Sequence, residues 1–161
     1  MTTNSYLTKR NETDLAVIQQ ALALIELENG WTQGTYCRDA DGLEVRPAAD
    51  VPGQWVRVRT QHVGAGGYVV RTESGATPCS YCLGGALRVA AGYWQDEDPF
   101  AALDQVERLE SLTLRLANTA AARGWPSLQA YNDDPHTTKA DAVLALKRAA
   151  THLDAQEQLQ L

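Results

Sequence analysis

The sequence predicts a mainly α, α+β fold: a single-domain bundle of about four helices with a β-hairpin inserted between helices 1 and 2. Two observations lead to this class. Apolar residues recur at helical spacing in several separate segments. Between the first two of them, residues 35–76 are instead rich in Gly, Pro, Val and Arg, and part of this region alternates as strands do. A length of 161 residues fits one domain spanning residues 1–161.

The first helix is expected over residues 11–29. Its apolar stripe has the spacing of one helix face and consists of Leu15, Ile18, Leu22 and Ile25. Asn11 and Asp14 have the spacing of a capping box, in which the two side chains satisfy backbone N–H groups of the first turn. The pair Asn29-Gly30 supplies a glycine suited to the left-handed position after the last turn.

Residues 35–76 predict β structure. Asp41-Gly42 is a hairpin-turn signal. Residues 54–60, QWVRVRT, alternate apolar and charged side chains, and residues 67–72, GYVVRT, form a second strand after a glycine-rich tip. Much of this region, residues 47–76, is read as an insertion. Because a two-stranded ribbon is marginal alone in water, we expect it to lie on the helices or on a partner chain.

The central helix is expected over residues 78–94, with Thr77 as its N-cap and Pro78 in its first turn. Gly84 and Gly85 each weaken a helix by about 1 kcal/mol relative to alanine. We therefore expect another element to approach this helix closely. Cys82 lies on the same small-residue face, which favours a packing role for its sulfur.

Two further helices follow, over residues 99–123 and 138–155. Asp98 and Pro99 form a typical helix start, and Gly124 marks the end of the longer helix. Thr138 with Asp141 predicts a capping box for the last helix. Between the two helices, the sequence 132–135, NDDP, is a strong helix break.

Charge and composition restrict the possible partners. The formal net charge of −6 disfavours binding to nucleic acid, which needs a basic surface. No apolar run has the length of about 20 residues that spans a membrane. The N-terminus shows no apolar signal segment, and the odd cysteine count favours reduced thiols. We therefore expect a cytoplasmic protein that does not bind membranes.

Three short motifs stand out: Gly30, Trp31, Gln33 and Gly34 after the first helix; Cys82, Gly85, Ala86 and Leu87 in the central helix; and Asn132, Asp133 and Thr138 before the last helix. They resemble the G-W-x-Q-G, W-C-x-x-G-A-L and W-N-D motifs of a family of small uncharacterised proteins from actinobacteria and their phages. The resemblance covers most of the chain outside residues 47–76. Tyr81 and Tyr131 stand where that pattern has tryptophan, and Cys79 has no counterpart. The resemblance implies a fold class and an actinobacterial or phage origin, but it implies no activity.

The cysteines allow three alternatives to simple packing. Cys79 and Cys82 have the spacing of a redox pair, although no βαβ frame surrounds them. Cys37, Cys79, Cys82 and His62 would complete a zinc ligand set, but the paired spacing of a zinc site is lacking. Cys82 or Cys79, with His136 as base and Asn132 or Asp133 as orienting group, would form a thiol-dependent enzyme. Whether the chain is an enzyme stays open here, with binding favoured, and no metal or cofactor is expected.

The favoured hypothesis is a non-catalytic binding protein that engages a host protein or a small anionic, nucleotide-like ligand. Two surfaces are candidates. One is a strand face carrying Arg57 and Arg59, which Arg71 can join across the ribbon to meet an anion. The other comprises the motif residues Trp31, Gln33, Asn132 and Asp133. A structural homo-oligomer paired through the hairpin is a further alternative.

Overall fold

The computed structural model describes residues 12–51, 53–94 and 100–160. Within these residues the chain forms five helices and five strands. The helices are α1 (Asp14–Glu26), α2 (Leu83–Ala91), α3 (Phe100–Ala121), α4 (Leu128–Asp133) and α5 (Lys139–Leu159). The strands are β1 (Cys37–Arg38), β2 (Val45–Pro47), β3 (Trp55–Val63), β4 (Gly67–Ser74) and β5 (Ser80–Tyr81).

The predicted bundle of about four helices with one hairpin is wrong. The chain has a fifth helix, α4, and two antiparallel sheets in place of one hairpin. One sheet pairs β1 with β5, and the other has the order β2-β3-β4. The elements outside the predicted bundle and hairpin are only two to six residues long. Elements of this length are too short to show a periodic apolar pattern, and long-range pairing defines the strands among them.

The helices enclose the hydrophobic core. α1 packs against α2 and α5, and α3 packs against the same two helices. The largest buried apolar side chains come from all four elements and include Ile18, Leu87, Leu109 and Leu146. The boundaries are shorter than predicted for α1 and α2, and α5 continues to Leu159. None of the described helices combines the length and apolar character needed to cross a bilayer.

The helix caps differ from the predicted ones in two places. Thr13 caps α1 by accepting a hydrogen bond from the Ala16 N–H, whereas the predicted cap Asn11 lies outside the described residues, as do Asp98 and Pro99. Thr77 and Pro78 do not begin the central helix, because the chain first forms β5 and then caps α2 with Cys82. The Thr138–Asp141 capping box of α5 is confirmed, with both of its hydrogen bonds present.

The predicted close approach to the central helix is confirmed. The approaching segment is the backbone just before β1. A Cβ atom on Gly85 would lie 2.2 Å from the carbonyl oxygen of Tyr36, which directly precedes β1. The same carbonyl accepts a hydrogen bond of 3.0 Å from the Cys82 N–H. Glycine is required here because the backbone before β1 occupies the space of a side chain.

The three-stranded sheet contains the predicted hairpin. β3 and β4 are antiparallel, with Arg57 opposite Glu73, Arg59 opposite Arg71 and His62 opposite Tyr68. Residues 64–66 form the tip, and both Gly64 and Gly66 have positive φ angles that glycine adopts without strain. β2 covers only the first part of β3, from Trp55 to Arg57. The outer half of the hairpin therefore extends beyond the sheet as a two-stranded ribbon.

We predict that Gly85→Ala destabilises the protein by about 3 kcal/mol, because the added methyl group meets a backbone carbonyl that a rotamer change cannot move. Gly84→Ala is the matched control. Its Cβ would meet the end of the Arg88 side chain at 3.1 Å, which requires a much smaller shift than a backbone carbonyl at 2.2 Å, and alanine favours the helix. Urea unfolding measures both variants. Equal stability of the two variants would contradict the packing argument.

Candidate functional site

The three sequence motifs meet at the side chain of Asn132, which is fully buried. Its Oδ1 accepts hydrogen bonds from Trp31 Nε1 at 2.9 Å and from the Leu83 N–H at 3.0 Å. Its Nδ2 donates to the Thr32 carbonyl and to Asp133 Oδ1, each at 3.0 Å. Two acceptor and two donor positions exhaust the capacity of a carboxamide. The side chain thus joins α4, the start of α2 and the loop after α1.

The neighbouring motif residues Gln33 and Asp133 also form hydrogen bonds within this network. Gln33 Nε2 donates to the carbonyls of Asn132 at 2.8 Å and Asp134 at 3.0 Å. Asp133 Oδ1 also accepts the Gly34 N–H at 2.9 Å. The structure therefore brings Trp31, Gln33, Asn132 and Asp133 together as predicted from the motifs. It uses their polar groups to bind one another, so ligand binding by these residues stays a prediction that the geometry does not favour.

The arginines of the ribbon share one face but are largely paired. Arg57 Nε lies 2.5 Å from Asp39 Oδ2, and Arg59 Nε lies 2.7 Å from Glu73 Oε1. Burial opposes ionisation of Asp39, but hydrogen bonds from the Leu43 N–H and from Arg57 outweigh it and lower the pKa of Asp39. Arg71 lies opposite Arg59 and has no ion pair within the described residues. Two of the three predicted anion-binding cations are thus in ion pairs with carboxylates of the same chain.

The cysteines lie in different environments. Cys82 is buried, and its Sγ accepts the Gly85 N–H at 3.2 Å as the cap of α2. Burial raises the pKa of Cys82 to about 11, so its thiol is protonated at neutral pH. Burial also raises the pKa of the Cys37 thiol, whereas Cys79 is exposed. A catalytic cysteine needs a low pKa and solvent access, and Cys82 has neither.

The two histidines proposed as partners make no hydrogen bond to these cysteines in the described structure, whereas Asp133 lies close enough to Cys82 to add to the rise in pKa that burial causes. His136 is exposed on the loop before α5, where its N–H binds Asp134 Oδ1 at 2.8 Å, and no hydrogen bond joins it to Cys82. His62 lies on the ribbon against Tyr68. Within the described part of the chain, no three His, Cys, Asp or Glu side chains are placed to hold a metal ion. The geometry therefore favours the packing role of the buried thiols.

A cleft with a volume of about 650 Å³ lies between the loop before β1, strand β2 and the end of α2. Three aromatic side chains form its wall: Tyr36, Tyr93 and Trp94. The ring centroids of Tyr36 and Trp94 are 5.4 Å apart, and Trp55 packs behind Trp94 at the same centroid distance. The other lining residues are Gly34, Thr35, Glu44, Val45, Arg46, Pro47, Ala48, Ala49 and Gln129.

The wall is held in place by α2. Gly92 takes a left-handed conformation after the last turn of α2, and the Tyr93 N–H binds the Arg88 carbonyl at 3.0 Å. The guanidinium of Arg88 lies 4.7 Å from the centroid of Tyr36 and 5.8 Å from that of Tyr93. Glu110 neutralises this guanidinium at 2.8 Å. A partly buried cation–π contact thus orients two of the three rings.

The rim of the cleft carries the polar groups. Glu44 Oε1 accepts hydrogen bonds from Thr35 Oγ1 at 3.0 Å and from Arg46 Nε at 2.9 Å. The Arg46 side chain is 62% exposed, so its remaining N–H groups face solvent at the cleft mouth. Sequence reasoning missed this site. Its only local signal is the adjacent pair Tyr93-Trp94 after a helix of small residues, which gives no hint of Tyr36 or β2.

We predict that Asn132→Ala destabilises the fold by about 3 to 5 kcal/mol, because it leaves the Leu83 N–H, the Trp31 indole and the Thr32 carbonyl without a buried partner. Combined with Trp31→Phe, which deletes only the indole N–H, it should show a coupling of about 1 kcal/mol in a double-mutant cycle by urea unfolding. Trp55→Phe, which shares no partner with Asn132, should be additive with it. If the effects of Asn132→Ala and Trp31→Phe on stability are simply additive, the proposed network is contradicted.

We predict that iodoacetamide at neutral pH modifies Cys79 in the folded protein and leaves Cys37 and Cys82 unmodified. Burial keeps both protected thiols protonated and covered, and the thiolate is the reacting species. Peptide mapping by mass spectrometry reads out each site, and unfolding in urea provides the control in which all three react. Rapid labelling of Cys82 in the folded chain would restore the thiol-enzyme hypothesis.

A family model described as a family of unknown function, DUF6197, matches residues 9–152. No curated protein and no solved structure shows significant similarity to the chain. The match covers nearly the whole sequence and confirms the resemblance to an uncharacterised family, whereas the motif pattern and the range of organisms stay predictions. The chain therefore belongs to DUF6197, a family of unknown function.

Proposed function

We propose that the chain is a non-catalytic binding protein whose aromatic cleft takes a small anionic ligand that carries a planar ring. The observation that supports this most is the wall of Tyr36, Tyr93 and Trp94 around a volume of about 650 Å³. Small-molecule sites usually measure about 300–1,000 Å³ and combine apolar walls with a few polar groups. The cleft has both features.

The chemistry of the rim suggests which ligands fit. A planar ring can stack against the aromatic wall, a contact worth about 1–3 kcal/mol per base in nucleic-acid complexes. Arg46 can then bind an anionic group with the N–H groups that Glu44 does not use. The Arg46–Glu44 ion pair is formally neutral, so the anionic group would be held by hydrogen bonds from the exposed N–H groups of Arg46. A nucleotide-like molecule satisfies both requirements.

The lining argues for binding over catalysis. It contains no His, Cys or Ser among the described residues, and its one carboxylate, Glu44, is already hydrogen-bonded. A nucleophile–base pair of the usual kind is therefore missing from the lining. A host-protein partner, a cytoplasmic location and an actinobacterial or phage setting remain predictions on which the cleft has no bearing.

We predict that AMP, GMP or UMP at millimolar concentration binds the purified chain in isothermal titration calorimetry. Tyr36→Leu should weaken binding about tenfold, because it replaces a stacking ring with an aliphatic side chain of similar volume. Arg46→Gln should weaken the nucleotide but not the corresponding nucleoside, because only the nucleotide carries the anionic group.

Tyr68→Leu is the matched control, since it makes the same change on the ribbon, outside the cleft. Ribose 5-phosphate is the matched probe without a ring and should bind far more weakly than the nucleotides. The proposal fails if no nucleotide binds, or if binding is equal in the Tyr36 and Tyr68 variants.

A further inference from the structure

The outer half of the β3–β4 ribbon exposes apolar side chains. Val63, Tyr68, Val69 and Val70 are 43–67% exposed, with Tyr68 the most exposed at 67%. In the order β2-β3-β4, the outer edge of β4 pairs with no described strand. An exposed edge eight residues long with apolar side chains is a site that tends to pair with another strand. The ribbon therefore has the features of an interface, and its outer edge has no partner strand in the described part of the chain.

We propose that β4 pairs antiparallel with β4 of a second copy of this chain, with Thr72 on the two-fold axis. Such pairing places residue 72−k of one copy opposite residue 72+k of the other. Arg71 then faces Glu73 of the second copy, and symmetry repeats this pair. Opposite charges directly across antiparallel strands stabilise the pairing.

The charge pattern selects this register over its neighbours. A two-fold axis through Arg71 or Glu73 would place like charges opposite each other, and one through Val70 would place Arg71 opposite Val69. Thr72 is the one residue of β4 with an arginine on one side and a carboxylate on the other. A second copy also relieves a conflict within one chain, because it brings a carboxylate to Arg71, which lies opposite Arg59.

The same register places the exposed start of β4 beside the second copy. Tyr68 and Val69 would lie beside Ala76 and Gly75 of the second copy, four and three residues from the axis. Those residues line a hollow of about 350 Å³ at the base of the ribbon, together with Trp55 and Pro78. Because alternate strand residues share a face, Val69 of one copy lies on the face of Trp55 and can meet this partly apolar hollow of the other. A β-strand partner unrelated to this chain would have no reason to match both the charges and the hollow.

Sedimentation equilibrium tests the pairing. The wild-type chain should form a dimer, and Arg71→Glu should raise the dimer dissociation constant about tenfold or more, because two attractive pairs become repulsive. Glu73→Arg should do the same. An equimolar mixture of the two variants should dimerise again, since each mixed pair joins Glu with Arg. Arg115→Glu, the same charge change on exposed α3, should leave the dissociation constant unchanged.

A cysteine pair tests the register itself. In a Cys79→Ser background, Thr72→Cys should form a disulfide between copies on oxidation, because residue 72 faces itself within the Cα separation that a disulfide spans. Ser74→Cys is the control, since its two copies would lie about 13 Å apart along the strands. A monomer at all concentrations, a dimer indifferent to Arg71→Glu, a mixture that fails to dimerise, or faster cross-linking at 74 than at 72 would each overturn the proposal.

Discussion

The carboxamide of Asn132 is the contact on which the arrangement of the other elements depends. It joins the loop after α1, the first turn of α2 and the end of α4, which are 49 to 101 residues apart in the chain. Each of its four hydrogen bonds is made to a neutral group or to the adjacent Asp133, and the side chain has no access to water. In a medium of low dielectric constant, such a network is strong when complete and costly when one member is missing. It therefore favours one relative placement of the three segments.

This use of Asn132 changes how the motif residues are interpreted. Polar and aromatic residues grouped in short motifs suggest a binding site, and Trp31, Gln33 and Asp133 do come together around Asn132. Their hydrogen-bonding groups point at one another, however, and little is left for a ligand. The cleft has the opposite character: Tyr36 and Arg46 are exposed, and they are held by Arg88 and Glu44 through groups that leave a ring face and several N–H groups available. The buried hydrogen-bond network and the proposed binding cleft thus depend on different residues.

Local signals in the sequence were enough for the hairpin and for the cap of α5. Alternation in residues 54–60 and the glycines of the tip identify a ribbon, and Thr138 with Asp141 identifies a helix start, because neighbouring residues make all the contacts involved. The Cys82 cap was missed because cysteine is not among the usual capping residues, and Thr77-Pro78 offered a conventional start. The cost of glycine in a helix predicts that another element lies close to Gly85. It does not predict that this element is the Tyr36 carbonyl.

The cleft could not be predicted, since it arises from tertiary placement. Tyr36 precedes a two-residue strand and Trp94 follows α2, and nothing between them in the sequence links the two rings. The Asn132 network could not be predicted either, although the sequence motifs identify its residues as candidates for binding. The residue types indicated that they matter, but the same types suit a ligand site and a buried network. Only the burial and the complete set of internal partners distinguish the two.

The order of the three-stranded sheet keeps the two proposed surfaces apart. β2 contributes Val45, Arg46 and Pro47 to the cleft, and β3 separates it from β4. A second copy added at the β4 edge would therefore extend the sheet on the side away from the cleft-lining strand. The charges follow the same division: Glu44 holds Arg46 on one side of β3, and Glu73 holds Arg59 on the other. Because no hydrogen bond or ion pair connects the two groups within the described residues, self-association through β4 leaves the affinity of the cleft unaltered unless the sheet itself twists on pairing.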